Sequence, residues 1–398
     1  ERELPMNAEV NTSHLEEGPD PVDNYTVRES VERPSVGGSD NIREDVEAVV
    51  LVGGKGTRLR PLTLSAPKPM LPTAGLPFLT HLLSRIRAAG IRDIVLSTSF
   101  KAEVFSEYYG DGSKLGLRMR YVTEDEPLGT GGGIRNVLDE LTASTIVVFN
   151  GDVLGGTDVG DVIDSHRAAD ADVTIHLVRV SDPRAFGCVP TDADGRVTAF
   201  LEKTQDPPTD QINAGCYVFK RSIIEQIPTG RALSVEREVF PGLLADGKKV
   251  CGYVDSTYWR DMGTPEDFVR GSADLVRGIA PSPALTHQRG EKLVHDGASV
   301  APGALLIGGT VIGRGAEIAG GARLDGAVIF DGVKVGAGAV IERSIIGFGA
   351  HIGPRALIRD GVIGDGADVG ARCELLRGAR VWPGIEIPDN GIRFSTDV

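Results

Sequence analysis

The sequence predicts an α/β domain with a mostly parallel sheet, followed by a parallel β-helix of hexapeptide repeats. Three observations carry this. Apolar runs alternate with helical patterns from about residue 46 to 275. The first of these runs, Ala48 to Val52, leads into three glycines within four residues, Gly53, Gly54 and Gly56. From about residue 295 an aliphatic residue recurs every five or six positions, with Gly and small residues between.

The first 44 residues are polar and acidic, lack apolar periodicity and contain Pro19, Pro21 and Pro34, which reads as a mobile tail. Strands are expected at 46–52, 93–98, 118–123, 145–149, 172–179, 213–219 and 249–254, and helices at 77–89, 101–109, 131–140, 158–169 and 264–277. Strand–helix alternation with short connections implies a parallel sheet covered on both faces, with ligands beyond the carboxyl ends of its strands. Residues 186–203 read as a hairpin turning at Asp194-Gly195. The boundaries read as 45–278 for the α/β domain, 279–294 for a Pro- and Gly-containing linker, and 295–398 for the repeats. In the repeats Ile312, Ile318, Leu324, Ile329, Val335 and their successors to Ile387 follow a six, six, five spacing. That is about one coil per 17–18 residues, and four to five coils. Stacked coils of this kind share one aliphatic core.

The chain of 398 residues has 41% hydrophobic and 25% charged residues, ordinary values for a globular protein. Its net charge of −14 disfavours a nucleic-acid groove, so small anionic substrates must meet a local positive pocket. No apolar run approaches the ~20 residues of a membrane helix, and no signal-peptide pattern is present. The four cysteines are scattered without a CxxC, which argues against a disulfide framework or a zinc site and fits a reducing cytoplasm.

The chemistry concentrates in Leu51–Thr63, LVGGKGTRLRPLT, and in KPMLP at Lys68–Pro72. Glycine lets backbone N–H groups approach a ligand closely, and a concave row of them holds anionic oxygens. Arg58 and Lys68 add two cations, making a cradle for a polyphosphate. A Walker loop is excluded because Lys55 precedes the last glycine, and a dinucleotide fingerprint because Leu59 stands where its third glycine belongs.

These segments resemble the signature of sugar-nucleotide pyrophosphorylases, and over residues 46–398 the chain most resembles mannose-1-phosphate guanylyltransferases of the actinobacterial type. The resemblance implies a Rossmann-like nucleotidyltransferase domain followed by a left-handed β-helix. It implies transfer of GMP from GTP to mannose 1-phosphate, giving GDP-mannose for mannosylated glycoconjugates; glucose 1-phosphate with dTTP, UTP or ATP is the alternative. Arg58 and Lys68 are then the catalytic cations; in related phosphoryl transfers one well-placed Arg is worth roughly 10³–10⁵ in rate. Leu51, Gly53, Gly54, Gly56, Thr57 and Arg58 become nucleotide-binding, joined by Glu124, Pro127, Gly129 and Thr130 of a base-reading loop. The resemblance assigns Asp152 and Asp261 to one Mg2+, and Asp152, Gly187, Glu202, Lys203 and Asn213 to the sugar phosphate. No nucleic-acid or membrane partner is expected. The repeat domain reads as the contact of a homo-oligomer.

Two other classes are expected to fail. A hexapeptide acyltransferase needs a histidine base, and the repeats hold only His295 and His351 on unbroken rungs. A silent regulatory subunit would lack a phosphate cation or metal aspartate, and none is missing here. Residues 234–241 resemble a family stretch near the sugar pocket, with a packed helix as their plain reading.

Overall fold

The computed structural model describes residues 42–99, 101–201, 203–286 and 289–394. Most of the stretch read as a tail, and Glu202, lie outside the described residues. The α/β domain is built on seven strands: β1 Val46–Leu51, β2 Asp93–Thr98, β3 Arg118–Thr123, β4 Thr145–Asn150, β5 Val173–Arg179, β6 Gln211–Lys220 and β7 Val250–Asp255. Their order is β7-β5-β6-β4-β1-β2-β3. Every pairing is parallel except those of β6, which runs antiparallel to both neighbours. Helices α1 Phe78–Ala88, α2 Ala102–Tyr109, α3 Gly129–Asn136, α4 Val159–Ala168 and α5 Pro265–Arg277 complete the layers. The expected elements thus form within a few residues of where they were read. The hairpin at 186–203 is held by isolated bridges, Cys188 to Leu201 and Thr191 to Val197, instead of continuous strands.

The central position of β1 places the site. Its residues Val46–Val50 are all buried, as an apolar strand covered on both faces should be. It pairs in parallel with β4, Leu51 opposite Asn150. The segments leaving both strands therefore emerge side by side, and Gly151 N–H donates to Leu51 O at 2.9 Å. A Cβ at Gly151 would lie 2.6 Å from that same oxygen, so glycine is required for the two chains to run this close.

A two-stranded ribbon that the sequence did not announce, Val153–Gly155 with Trp259–Asp261, lies beyond these ends. Its antiparallel register sets Asp261 opposite Val153, and Met262 N–H donates to Asp152 O at 3.0 Å. Two distant aspartates are thereby brought to one place. Thr264 caps α5: its hydroxyl accepts from Asp267 N–H at 3.1 Å.

The repeat region forms three parallel faces of six strands each. Six rungs exceed the four to five read from the sequence. The first rung begins at Lys292–Val294, within the stretch read as linker. Leu293 is only partly buried there, so the aliphatic rhythm is weak at that point. Ile312, Ile329, Ile346, Ile363 and Val381 stack down one inner column, all nearly fully buried. The residues before the first four, Val311, Val328, Ile345 and Val362, point outward yet are equally buried. They belong to one cluster with Leu59, Leu62, Phe268 and Leu275 of the α/β domain. That domain therefore packs against one face of the β-helix, and a Cβ at Gly309 would come within 2.7 Å of the α5 backbone at Ala273. The four cysteines are buried free thiols. Among the described residues no helix is long and apolar enough to cross a membrane.

Candidate active site

Two cavities adjoin at this end of the sheet, one beyond the carboxyl ends of β1 and β4 and one beside the Trp259–Asp261 strand of the ribbon. One, of about 510 Å³, is floored by the glycine turn; Leu51, Gly53, Gly54, Gly56, Thr57 and Arg58 line it. Glu124, Pro127, Gly129 and Thr130 form its opposite wall, and Lys68, Asn150 and Asp152 its inner end. The other, of about 650 Å³, is lined by Phe186, Gly187, Lys203, Asn213, Glu236, Trp259 and Asp261. Arg58 lines both cavities. Each is large enough for a small ligand.

Between them Lys68 stands almost buried. Its Nζ lies 3.1 Å from Asp152 Oδ2 and 4.0 Å from Asp261 Oδ1. Asp261 Oδ1 is buried and has no hydrogen-bond partner. Burial, and then the charge of Asp152, raises the Asp261 pKa, while Lys68 and Arg58 oppose the rise. A buried carboxylate oxygen with nothing to accept, beside a second carboxylate, suits a divalent cation. Such an ion uses one or two protein carboxylates and completes its shell with phosphate and water. The sequence reading put Asp152 with the sugar phosphate; it lines the first cavity, at the junction, and not the cavity of Gly187, Lys203 and Asn213.

Arg58 owes its position partly to Gly263. A Cβ there would fall 2.5 Å from the Arg58 guanidinium. Gly263→Ala is expected to push that flexible side chain aside without straining the backbone. If Arg58 is the phosphate-binding cation that the sequence reading expects, turnover should fall about 10- to 100-fold at an unchanged Tm, since displacements near 1 Å cost this much. Steady-state kinetics with a melting curve checks it.

The wall at 124–133 is fixed by its own polar groups. Glu124 accepts from Ser97 Oγ at 3.1 Å and from Leu128 N–H at 3.0 Å. Gly133 leaves the room, since a Cβ there would lie 2.7 Å from Glu124 Oε1. The glycines of α3 allow backbone to meet backbone: Gly131 N–H donates to Leu233 O at 2.8 Å.

Among the lining residues not assigned from the sequence, three shape the cavities most: Glu236, Trp259 and Phe186. Glu236 accepts from Thr130 Oγ1 at 3.0 Å and from the buried Tyr217 hydroxyl at 3.3 Å, linking the two cavities. It lies on a π-helical turn, Val235–Val239, so the 234–241 stretch is helical as read but also reaches the site. Trp259 and Phe186 meet edge to face at 5.3 Å and give the second cavity an aromatic wall. Their signal was an aromatic beside a site glycine or aspartate, Phe186 before Gly187 and Trp259 near Asp261.

Among the described residues no histidine lines either cavity. His295 bonds the Ala74 carbonyl and His351 bonds Asp368 on an exposed rung, and neither lines one of these cavities. Paired cavities sharing one arginine, with a lysine between two carboxylates, are built to bring two anions together. On this fold they define a nucleotidyltransferase.

The comparisons agree. The nucleotidyl transferase family model matches residues 47–278, and the GMPPB C-terminal domain model matches 288–393. The chain is 76% identical to the mannose-1-phosphate guanylyltransferase of Mycobacterium tuberculosis (strain ATCC 25618 / H37Rv), over 89% of this chain and 99% of that one. It is 34% identical to the mannose-1-phosphate guanylyltransferase catalytic subunit beta of Drosophila pseudoobscura pseudoobscura, over 71% and 75%. The crystal structure of HddC from Yersinia pseudotuberculosis complexed with GMP-PN matches with a TM-score of 0.51 at 32% identity, covering 57% of this chain and 99% of that one. The chain belongs to the mannose-1-phosphate guanylyltransferase family of nucleotidyl transferases.

Proposed function

We propose that this enzyme transfers GMP from GTP to mannose 1-phosphate, forming GDP-mannose and pyrophosphate. The observation that carries the reading is the meeting of the two cavities at Arg58, Lys68, Asp152 and Asp261. The first cavity takes the triphosphate, its phosphates over the glycine turn and its base against Glu124–Thr130. The second takes the sugar phosphate, with Lys203 on the phosphate and Asn213 and the backbone of Gly187 toward the sugar. An oxygen of the sugar phosphate attacks the α-phosphorus. The bond to the β-phosphate oxygen breaks, and pyrophosphate leaves with that electron pair.

The nucleophile is already an anion, so no general base is needed. What the site must supply is positioning and positive charge where negative charge accumulates. Arg58 and Lys68 supply that charge from the protein. Asp152 and Asp261 would hold a divalent cation, for which we take Mg2+, and its chemistry would be neutralisation of phosphate oxygens. We place the enzyme in the cytoplasm, supported by its buried free thiols. We also infer a homo-oligomer joined through the β-helix, whose last coil exposes Trp382, Ile385, Ile392 and Phe394.

Labelled GTP tests the reaction. Label on the α-phosphorus should enter a sugar nucleotide and label on the γ-phosphorus should leave as pyrophosphate; γ-label in the sugar product would refute the scheme. Lys203→Ala should raise the KM for mannose 1-phosphate about tenfold or more while changing that for GTP little. Equal changes in both would remove Lys203 from the sugar phosphate.

A further inference from the structure

Arg58 and Lys68 are the two ends of one short arc of chain. Between them the chain makes a turn at Thr57–Leu59 and a short helix at Leu62–Ser65 before the turn at Lys68–Met70. The middle of this arc is gripped from two sides. From the α/β domain, Lys101 Nζ donates to the carbonyls of Leu64 and Ser65, both at 2.9 Å. From the β-helix, Arg380 Nη1 donates to the carbonyl of Arg60. The Asp365 carboxyl accepts from Phe348 N–H at 3.0 Å and faces Ser65 of the arc. Phe348 and Phe330 pack with ring centroids 4.9 Å apart and share one buried cluster with Leu59, Leu62 and Ala66 of the arc. Burial holds the Asp365 pKa above its usual range, as befits a group sandwiched between two domains.

We propose that Phe348, Asp365 and Arg380 of the β-helix are positioning residues for the arc that carries Arg58 and Lys68, which makes the repeat domain a working part of the active site. The proposal rests on the reading of Arg58 and Lys68 as phosphate-binding cations. Its physical basis is precision. Arg58 is exposed and sits on short turns, so its geometry depends on what anchors the chain on its far side. A displacement near 1 Å at such a group costs about 10²-fold in rate. The contacts lie on the arc between the two cations and touch neither, which is where an anchor acts on both ends together.

The test uses the full chain with whichever triphosphate and sugar phosphate the wild type turns over. Arg380→Ala combined with Ser65→Ala removes the two polar anchors and leaves the apolar core untouched. The pair should lower kcat by about tenfold with a wild-type Tm. Arg380→Lys, which can still donate to one carbonyl, should restore most of the rate when paired with Ser65. In a chain already carrying Arg58→Ala, the Arg380→Ala change should cost clearly less than in the wild-type chain, because part of its effect runs through Arg58 and only the part through Lys68 is left. Wild-type kcat in the paired variant would overturn the proposal, as would an equal fold-loss with and without Arg58. The Arg58→Ala variant alone judges the phosphate reading: if it retains wild-type kinetics, that reading falls on its own, whatever Arg380 does.

Discussion

Replacing Arg58 by Ala is expected to lower kcat by roughly 10³-fold or more, the range of a single arginine acting on a transferring phosphoryl group. The expectation follows from position. Arg58 lines both cavities, so in the proposed scheme its charge faces the triphosphate and the incoming phosphate together. A reaction between two polyanions gains most where one cation serves both as they close. Arg58 is exposed and its loss opens no core cavity, so the Tm should stay at the wild-type value. The loss should appear in kcat and in kcat/KM alike, because the added charge exists only as the bonds change. A rise in KM at constant kcat would mean that Arg58 binds the ground state only.

The second large effect is expected from Asp261→Asn. The substitution keeps the shape of the side chain and removes a full charge from the lysine-centred carboxylate pair. Turnover should fall on the order of 10²–10³-fold, as when a principal electrostatic partner of a phosphate site is lost. The stability argument runs the other way. The Asp261 pKa is raised on folding, first by burial and then by Asp152. A carboxyl whose folded pKa lies above its unfolded value weakens the fold as pH rises from the unfolded toward the folded pKa, and the penalty stays in full above that. Asp261→Asn removes this penalty. In the absence of divalent cation the variant should therefore melt at or above the wild-type temperature near neutral pH, while having lost its activity. Loss of Tm together with activity would make Asp261 a structural residue.

Much of this site is readable from local sequence because it sits at strand ends. An apolar run followed by glycines marks both a buried strand and the cradle after it, so the Gly53–Thr57 turn could be read directly, while its neighbours at 124–130 came from the family resemblance. The pairing of Asp152 with Asp261 could not. It depends on a ribbon of three-residue strands, too short for any periodicity, and only the family resemblance pointed to it. The direction of β6 was equally hidden, since composition does not encode whether a buried strand runs parallel or antiparallel. Glu236 escaped because a carboxylate on a helical turn looks like any solvated helix residue until Thr130 and Tyr217 are placed against it.

The face of the β-helix that meets the α/β domain did leave a trace. Consecutive aliphatic pairs, Val311-Ile312, Val328-Ile329, Ile345-Ile346 and Val362-Ile363, fall on successive rungs of one face. A strand alternates its side chains, so of each pair one residue enters the core and the other points outward. A column of outward aliphatic residues therefore announces a covered face. The single-residue rhythm is the stronger signal, and by itself it says nothing about which face is covered.

The measurement that bears most directly on the central claim is pyrophosphate release in Mg2+, crossing GTP, ATP, UTP and dTTP with mannose 1-phosphate and glucose 1-phosphate. Release chiefly from GTP with mannose 1-phosphate is the predicted result. Release chiefly from dTTP or UTP with glucose 1-phosphate would contradict it, leaving the phosphate chemistry of Arg58 and Lys68 in place but reassigning the base and sugar that the two cavities select.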